Sequence, residues 1–452
     1  MPINFLSEPE RPTRARFVLL AYLCAMALIL YLDRVSIAQA TVPMQAELGI
    51  SNTSWGVVLV SFTFAYGLFE VPTGRMGDRY GSRRVLTRIV AWWSVFTAMT
   101  GACFGFYSLV VVRFLFGAGE AGAYPNVARI LARWYPVAER GRVQGAMLAF
   151  SLVGAALAPT MAQSLMDQIG WRWTFGVFGA IGLIWSAAFY LWFRDDPAES
   201  RAVSALELEH IGAKPVDQPT VREPIPWRAA LANRNIWLLS AIVVCAAFTT
   251  YVFYSWFPKY LQTAREASPQ ESGWMSTFVL GVGAVAMFVG GWVGDAIASL
   301  KTDRKRMRER IGLPAYMVAA GCLAGSTRCE SAWVAVLFAA VAYSGIVLMQ
   351  TIWWSCATEV SGRHIGALFG LLNSAGVFGA MGSQFFFGAF TDWRAAHGHV
   401  GRDQWDPAFF VCAGLLFCGG VFWWFVDPSK KVQAAQIVDR KTTRDRFGEE
   451  FS

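Results

Sequence analysis

Residues 17–41 read FVLLAYLCAMALILYLDRVSIAQAT: sixteen residues without a charge, then Asp33 and Arg34, then a further apolar turn. At about 1.5 Å per residue a helix of this length spans about 37 Å, enough to cross the roughly 30 Å hydrocarbon core of a bilayer. The run is too long for a cleavable signal, has no small-residue cleavage site and carries a charged pair, so we expect it to remain as a first transmembrane helix. Charge is costly inside a bilayer, and ionisable residues there mark pathways and sites.

The same pattern recurs along the chain. Of the 452 residues 55% are hydrophobic and only 15% are charged, where a soluble domain carries about a quarter. Apolar runs predict twelve spans, near 17–41, 53–74, 84–104, 107–129, 142–165, 172–193, 236–260, 273–298, 311–327, 331–357, 363–390 and 407–426. The fold class expected is an all-α polytopic membrane protein.

The net charge of +8, from 39 Lys+Arg against 31 Asp+Glu, sits at span ends, as in GDRYGSRR (77–84), KTDRKRMRER (301–310) and the tail from Lys430. That distribution reads as topology signals in contact with a lipid bilayer, not as a nucleic-acid patch. The loops after spans 2, 4 and 8 and both termini are the basic ones, which places both termini in the cytoplasm. A bacterial inner membrane is the expected location. The eight cysteines lie mostly in apolar runs without CxxC or ligand spacing, so neither disulfides nor a metal is expected. No phosphate loop, nucleophile elbow or HExxH appears, so we expect no enzyme, no ATP-driven pump and no cofactor beyond a coupling proton.

The longest polar stretch, RDDPAESRAVSALELEHIGAKPVDQPTVREPIPW (194–227), divides the chain. We expect a six-helix bundle over 1–193, a cytoplasmic connector over 194–235, a second six-helix bundle over 236–428 and a cytoplasmic tail over 429–452. The halves echo each other. RGRVQGAMLAFSLVGAA (140–156) matches SGRHIGALFGLLNSAGV (361–377), WFRDDP (192–197) matches WFVDP (424–428), and Gly77-Asp78 matches Gly294-Asp295. Such a repeat predicts two pseudo-symmetric bundles that rock about a central site.

Charged motifs then carry the function. In GRMGDRYGSRRVL (74–86) glycines let spans 2 and 3 approach closely while Asp78 and the following arginines can hold a charged contact at the membrane face. In the fourth span, RFLFGAGEAGAYPNVAR (113–129), Arg113 and Glu120 stand two turns apart on one helical face. Gly117, Gly119 and Gly122 thin that helix where a neighbour can pack. By rise per residue Asp33 lies about 25 Å above Arg16 and Arg113 about 24 Å above Arg129, with Glu120 about 10 Å nearer the cytoplasm. Asp33 and Arg34 point about 100° apart around their helix and are poor partners for each other. They are better placed to face Arg113 and Glu120 if spans 1 and 4 meet.

The 74–86 stretch resembles the cytoplasmic loop signature of the major facilitator superfamily, and the twelve spans and the half-repeat fit that family over nearly the whole chain. The resemblance implies a gating and structural role for Gly74, Asp78, Arg79, Gly81, Arg83 and Arg84, with a weaker second copy at Asp295. YLDR in span 1 with R…GAGEAGAYP in span 4 is similar to the anion:cation symporter family, which includes hexuronate, galactonate and glucarate carriers. By that resemblance Asp33 and Glu120 are proton-carrying carboxylates, and Arg34 and Arg113 attract the substrate carboxylate or pair with those acids. Physics supports the same roles: a buried carboxylate prefers its neutral form, an arginine pulls it back, and an arriving anion that competes for the arginine couples anion to proton.

Tyr66, Tyr124, Asn126 and Asn373 are further candidates to line the cavity. The asparagine in GLLNSAG (370–376) resembles one similarly placed in galactonate-type carriers. The fifth span of those carriers has a substrate-contacting glutamine, whereas MLAFSLVG (147–154) is apolar around Phe150, which points to a less hydroxylated anion. Tyr251 and Tyr254 suit either a substrate or an interfacial belt, Pro258 marks a helix break, and Glu70 sits where it can support the loop gate. The function expected is proton-coupled uptake of an organic anion, a carboxylate or sugar acid, by a monomeric secondary transporter. The alternatives are a proton-coupled exporter of drugs or metabolites and a non-transporting sensor derived from a carrier.

Overall fold

A computed structural model describes residues 13–212, 227–299, 304–361 and 365–427. Among the described residues the helices trace twelve spans. Those of the first half are Ala15–Gln39, Asn52–Tyr80, Ser82–Thr100, a fourth in two pieces (Phe106–Glu120 and Ala123–Trp134), and the run Val137–Trp192 that holds the fifth and sixth. The second half has Arg234–Ser255, Pro269–Ser299, Arg304–Ser326, Ala332–Ser361, Ile365–Ala396 and Arg402–Phe425. Helix is the form in which a chain satisfies its backbone inside a bilayer. Short helices Thr41–Leu48, Ala205–Ile211, Trp227–Ala232 and Phe257–Ala264 sit between spans.

Glycine and proline set three breaks along the chain, one between predicted spans 5 and 6 and two within spans 4 and 7. Val137–Trp192 turns at Gly170, whose φ of 74° belongs to the left-handed region that glycine reaches without strain. Span 4 breaks between Glu120 and Ala123: Gly122 adopts φ 84°, and a Cβ there would stand 2.3 Å from Thr73 Oγ1. Span 7 ends at Ser255 and resumes at Phe257 with Pro258 in the new first turn, where a residue without an N–H is tolerated.

Close packing at glycines sets the pairing of spans, and it repeats in the two halves. Gly154 brings span 5 against the Leu28 carbonyl of span 1, Gly117 brings span 4 against the Phe62 carbonyl of span 2, and Gly179 brings span 6 against the Ser94 carbonyl of span 3. In the second half Gly379 meets the Val244 carbonyl, Gly290 meets the Leu348 carbonyl, and Gly419 lies against Tyr316. Spans 1·5, 2·4 and 3·6 thus correspond to 7·11, 8·10 and 9·12, which is the two-bundle pseudo-symmetry that the repeat predicted. Small residues at these crossings exchange side-chain volume for backbone contact.

Between the halves, span 2 packs on span 11 and span 5 on span 8. Span 1 runs from Ala15 to Gln39, and its Arg16 and Gln39 name the two ends of the bundle. Among the described residues, the hydrogen bonds joining the halves lie between mid-bundle and the Gln39 end. Asp392 accepts from the Asn52 and Thr53 backbone, Lys259 donates to Gln45 and Asn52, and Gln39 donates to the Pro269 carbonyl and Ser272. Thr63 donates to Gln384 at 2.8 Å, and the Thr160 and Thr277 hydroxyls lie 2.6 Å apart. The halves are therefore fastened at the Gln39 end.

Candidate functional site

Spans 1 and 4 meet at mid-bundle, and the meeting is ionic. Arg34 Nη2 pairs with Glu120 Oε1, the arginine side chain being 11% exposed and the glutamate 1%. The break in span 4 leaves Glu120 at the C-terminus of Phe106–Glu120, the partially negative end of a helix, and Arg34 supplies the opposing charge. Three rings surround the Arg34 guanidinium, Tyr66 at 4.8 Å, Tyr31 at 5.1 Å and Phe62 at 5.3 Å to their centroids. Such faces accept a cation without neutralising it.

Arg113 is buried beside the pair, its guanidinium 4.3 Å from the Phe116 ring and 5.2 Å from the Phe62 ring. Asp33, equally buried, accepts from the Thr97 hydroxyl of span 3 at 3.3 Å. Arg113 and Asp33 are electrostatic neighbours, yet among the described residues no hydrogen bond joins them. Asp33 Oδ1, Arg34 Nε, Arg113 Nε and Glu120 Oε2 have no protein partner. Buried polar atoms are rarely left unmatched, and these four lie together on spans 1 and 4.

The other sequence candidates fall in different places. Tyr66 and Tyr124 are half-buried on the first-half side, the Tyr124 hydroxyl 2.9 Å from that of Ser151. Asn126 gives its amide to the carbonyls of Gly122 at 2.8 Å and Thr73 at 3.4 Å, and so braces span 4 against span 2. Tyr251 interacts electrostatically with Arg34 and Glu120 from the second half. Tyr254 pairs its hydroxyl with that of buried Tyr343 at 2.9 Å. Asn373 is exposed on span 11. Thr97, Tyr31, Phe62 and Ser151 were not anticipated, because a neutral side chain in an apolar run carries no energetic signal of its position.

Near the end of span 2, Gly74 packs on Pro125 and Gly77 on Asn126. Gly81 has φ 81°, and a Cβ there would meet Asp195 Oδ2 at 2.5 Å. The Arg83 backbone donates to Asp195 at 3.0 Å, while its side chain donates to the Tyr190 carbonyl and lies on the Tyr190 ring. Arg79 stacks on neighbouring Tyr80, and Arg84 is exposed. The side chains of Asp78 and Asp295 lie outside the described residues. This loop therefore binds the start of the connector, through an aspartate the sequence did not single out.

Comparison with known proteins places these features in context. The profile described as Major Facilitator Superfamily matches residues 23–384. The chain is 29% identical over 419 residues to a probable sulfoacetate transporter of Cupriavidus necator, covering 92% of this chain and 94% of that one. It is 30% identical over 431 residues to the chloroplastic sodium-dependent phosphate transport protein 1 of Arabidopsis thaliana, covering 94% and 81%. A bacterial homologue of the human lysosomal transporter Spinster, solved inward-facing and unoccupied, superimposes with a TM-score of 0.74 at 18% identity over 93% of this chain and 97% of that one.

Proposed function

Since this chain belongs to the Major Facilitator Superfamily and to its anion:cation symporter type, we propose that it is a secondary carrier that takes up an organic anion together with protons. It is a multi-pass membrane transporter and not an enzyme. The observation that carries the proposal is the buried Arg34–Glu120 pair beside Arg113, a second buried arginine with no carboxylate bonded to it among the described residues. Two guanidiniums in a low-dielectric cavity suit a carboxylate or sulfonate. The names of the relatives, a sulfoacetate and a phosphate transporter, fit the same charge class.

The coupling follows from competition. An anion that takes the Arg34 guanidinium leaves Glu120 without a counter-charge next to a helix C-terminus, and a proton is what restores neutrality. Asp33, held by Thr97 and facing the Arg113 field, is the second proton carrier. Tyr66, Tyr124, Tyr251 and Asn373 supply hydrogen bonds to the substrate body. The halves 1–193 and 236–428 rock about this site, with the connector, the tail and the Arg16 end in the cytoplasm of a bacterial inner membrane. Fastening at the Gln39 end then corresponds to a cavity open inward.

Proteoliposomes test the reading. A pH gradient should drive accumulation of a labelled carboxylate or sulfonate, and Asp33→Asn or Glu120→Gln should abolish accumulation while leaving exchange without a gradient. Both variants accumulating as well as wild type would remove the proton roles. A sodium gradient at equal pH, if it drives uptake instead, assigns the coupling to sodium.

A further inference from the structure

One more carboxylate faces the same cavity. On span 2, Gly56, Thr63 and Gly67 form one face, and each meets span 11: Gly56 and Thr63 at Gln384, Gly67 at Val377. The next position on that face, three residues on, is Glu70. The two spans are antiparallel, so the residues one turn beyond Val377 on the facing side are Asn373 and Ser374, both exposed. Glu70 therefore stands one turn beyond the last of these contacts, toward the Arg16 end. It is half-buried, and among the described residues its carboxylate has no hydrogen bond or ion pair. It interacts electrostatically with Arg34, Tyr66 and Tyr251.

We infer that Glu70 sets the charge of the anion this protein carries, selecting monoanions over dianions; the inference rests on the anion-carrier reading above. With Asp33 and Glu120 protonated, Arg34 and Arg113 face Glu70 alone, and the cavity holds one net positive charge. A monoanion neutralises it. A dianion leaves an uncompensated negative charge in a low-dielectric site, and the second anionic group meets Glu70 as it enters or leaves. Glu70 is half-buried and lies in the field of Arg34, which favours its charged form. Asp33 and Glu120 are instead sealed among the groups that compete for protons.

The magnitude follows from Coulomb's law. One unit charge at about 10 Å, with an effective dielectric near 20, changes an equilibrium by about fifteenfold, and exposure of Glu70 reduces this to about five- to tenfold. A dianion feels the term once more than a monoanion does. Binding of size-matched pairs to purified protein, gluconate against glucarate, lactate against malonate and isethionate against sulfoacetate, reads the ratio directly. Wild type should prefer the monoanion of any pair it binds. Glu70→Gln should move the ratio about five- to tenfold toward the dianion, and Glu70→Asp should keep it. A folded Glu70→Gln protein whose ratio stays within about twofold of wild type overturns the inference, as does wild-type preference for dianions. A variant that keeps the ratio but loses one proton per anion, measured as a reversal potential, overturns it in favour of a coupling role. If wild type binds no member of any pair, the anion-carrier reading itself has failed and this inference with it.

Discussion

Asp392→Asn tests what fastens the two halves at the Gln39 end. The Asp392 carboxylate accepts from the Asn52 N–H at 3.2 Å, the Thr53 N–H at 2.7 Å and the Thr53 hydroxyl at 2.7 Å. It thus caps, from the second half, the first turn of span 2, whose free N–H groups form a partially positive end. Bonds to a charged group contribute about 1.5–3 kcal/mol each when buried. Asp392 is only half-buried, so the low end applies. Asparagine keeps one acceptor oxygen and loses the charge, a net loss of about 2 kcal/mol. That is a factor of about 30 between the fastened and parted states, so a parted population of about 1% would rise to about a quarter. Spin labels at Phe104 and Val400, exposed loop positions of opposite halves at this end, report the population as a longer distance in pulsed electron paramagnetic resonance. An unchanged distance distribution in a folded Asp392→Asn protein would refute the reasoning. Lys259→Gln should shift the distribution in the same direction.

Gly117→Ala places a methyl 2.3 Å from the Phe62 carbonyl oxygen and should lower stability by about 1–3 kcal/mol, read as a lower melting temperature in detergent. Gly145→Ala, with nothing near its added carbon, should melt like wild type. Glu207 of the helix Ala205–Ile211 is buried and accepts from the Ala15 and Arg16 N–H groups at 3.1 and 3.2 Å. Glu207→Gln should weaken this cap by about 1–2 kcal/mol, seen as faster tryptic cleavage at exposed Arg201. The Trp171 indole N–H and then Arg172 hold the Glu47 carboxyl below the usual carboxylate range. A depressed acid contributes stability above that range and loses it as pH falls through the depressed value. The gap in melting temperature between wild type and Glu47→Gln should therefore be present at neutral pH and close in acid.

Much of the fold was legible because a bilayer penalises exceptions. Apolar runs long enough to cross it admit only helices or closed barrels, and a glycine-spaced duplicate of one half restricts the arrangement further. The same penalty exposed Asp33, Arg34, Arg113 and Glu120, since a charge in such a run stands out against its neighbours. Counting depth along spans 1 and 4 sets Asp33 level with Arg113 and Glu120 about 10 Å nearer the cytoplasm, whereas the ion pair that forms is Arg34 with Glu120. The hydrogen-bond partner of Asp33 is Thr97 on span 3, a residue that no charge or spacing distinguishes. The glycines of GAGEAG predict a thinned continuous helix. It is a break, because Gly122 must pass beside Thr73 on a neighbouring span that the local sequence does not specify.

By itself, then, the sequence determined the number of spans, the repeat and the identity of the buried charges, because each follows from the cost of polar groups in an apolar medium. Which charges pair, which face of span 2 meets span 11, and at which end the halves are joined were decided only by the tertiary structure. The physical reason is visible at Glu70. Periodicity places a side chain on a face of its own helix, but only the register against Val377 and Gln384 on the far half shows which partner that face meets.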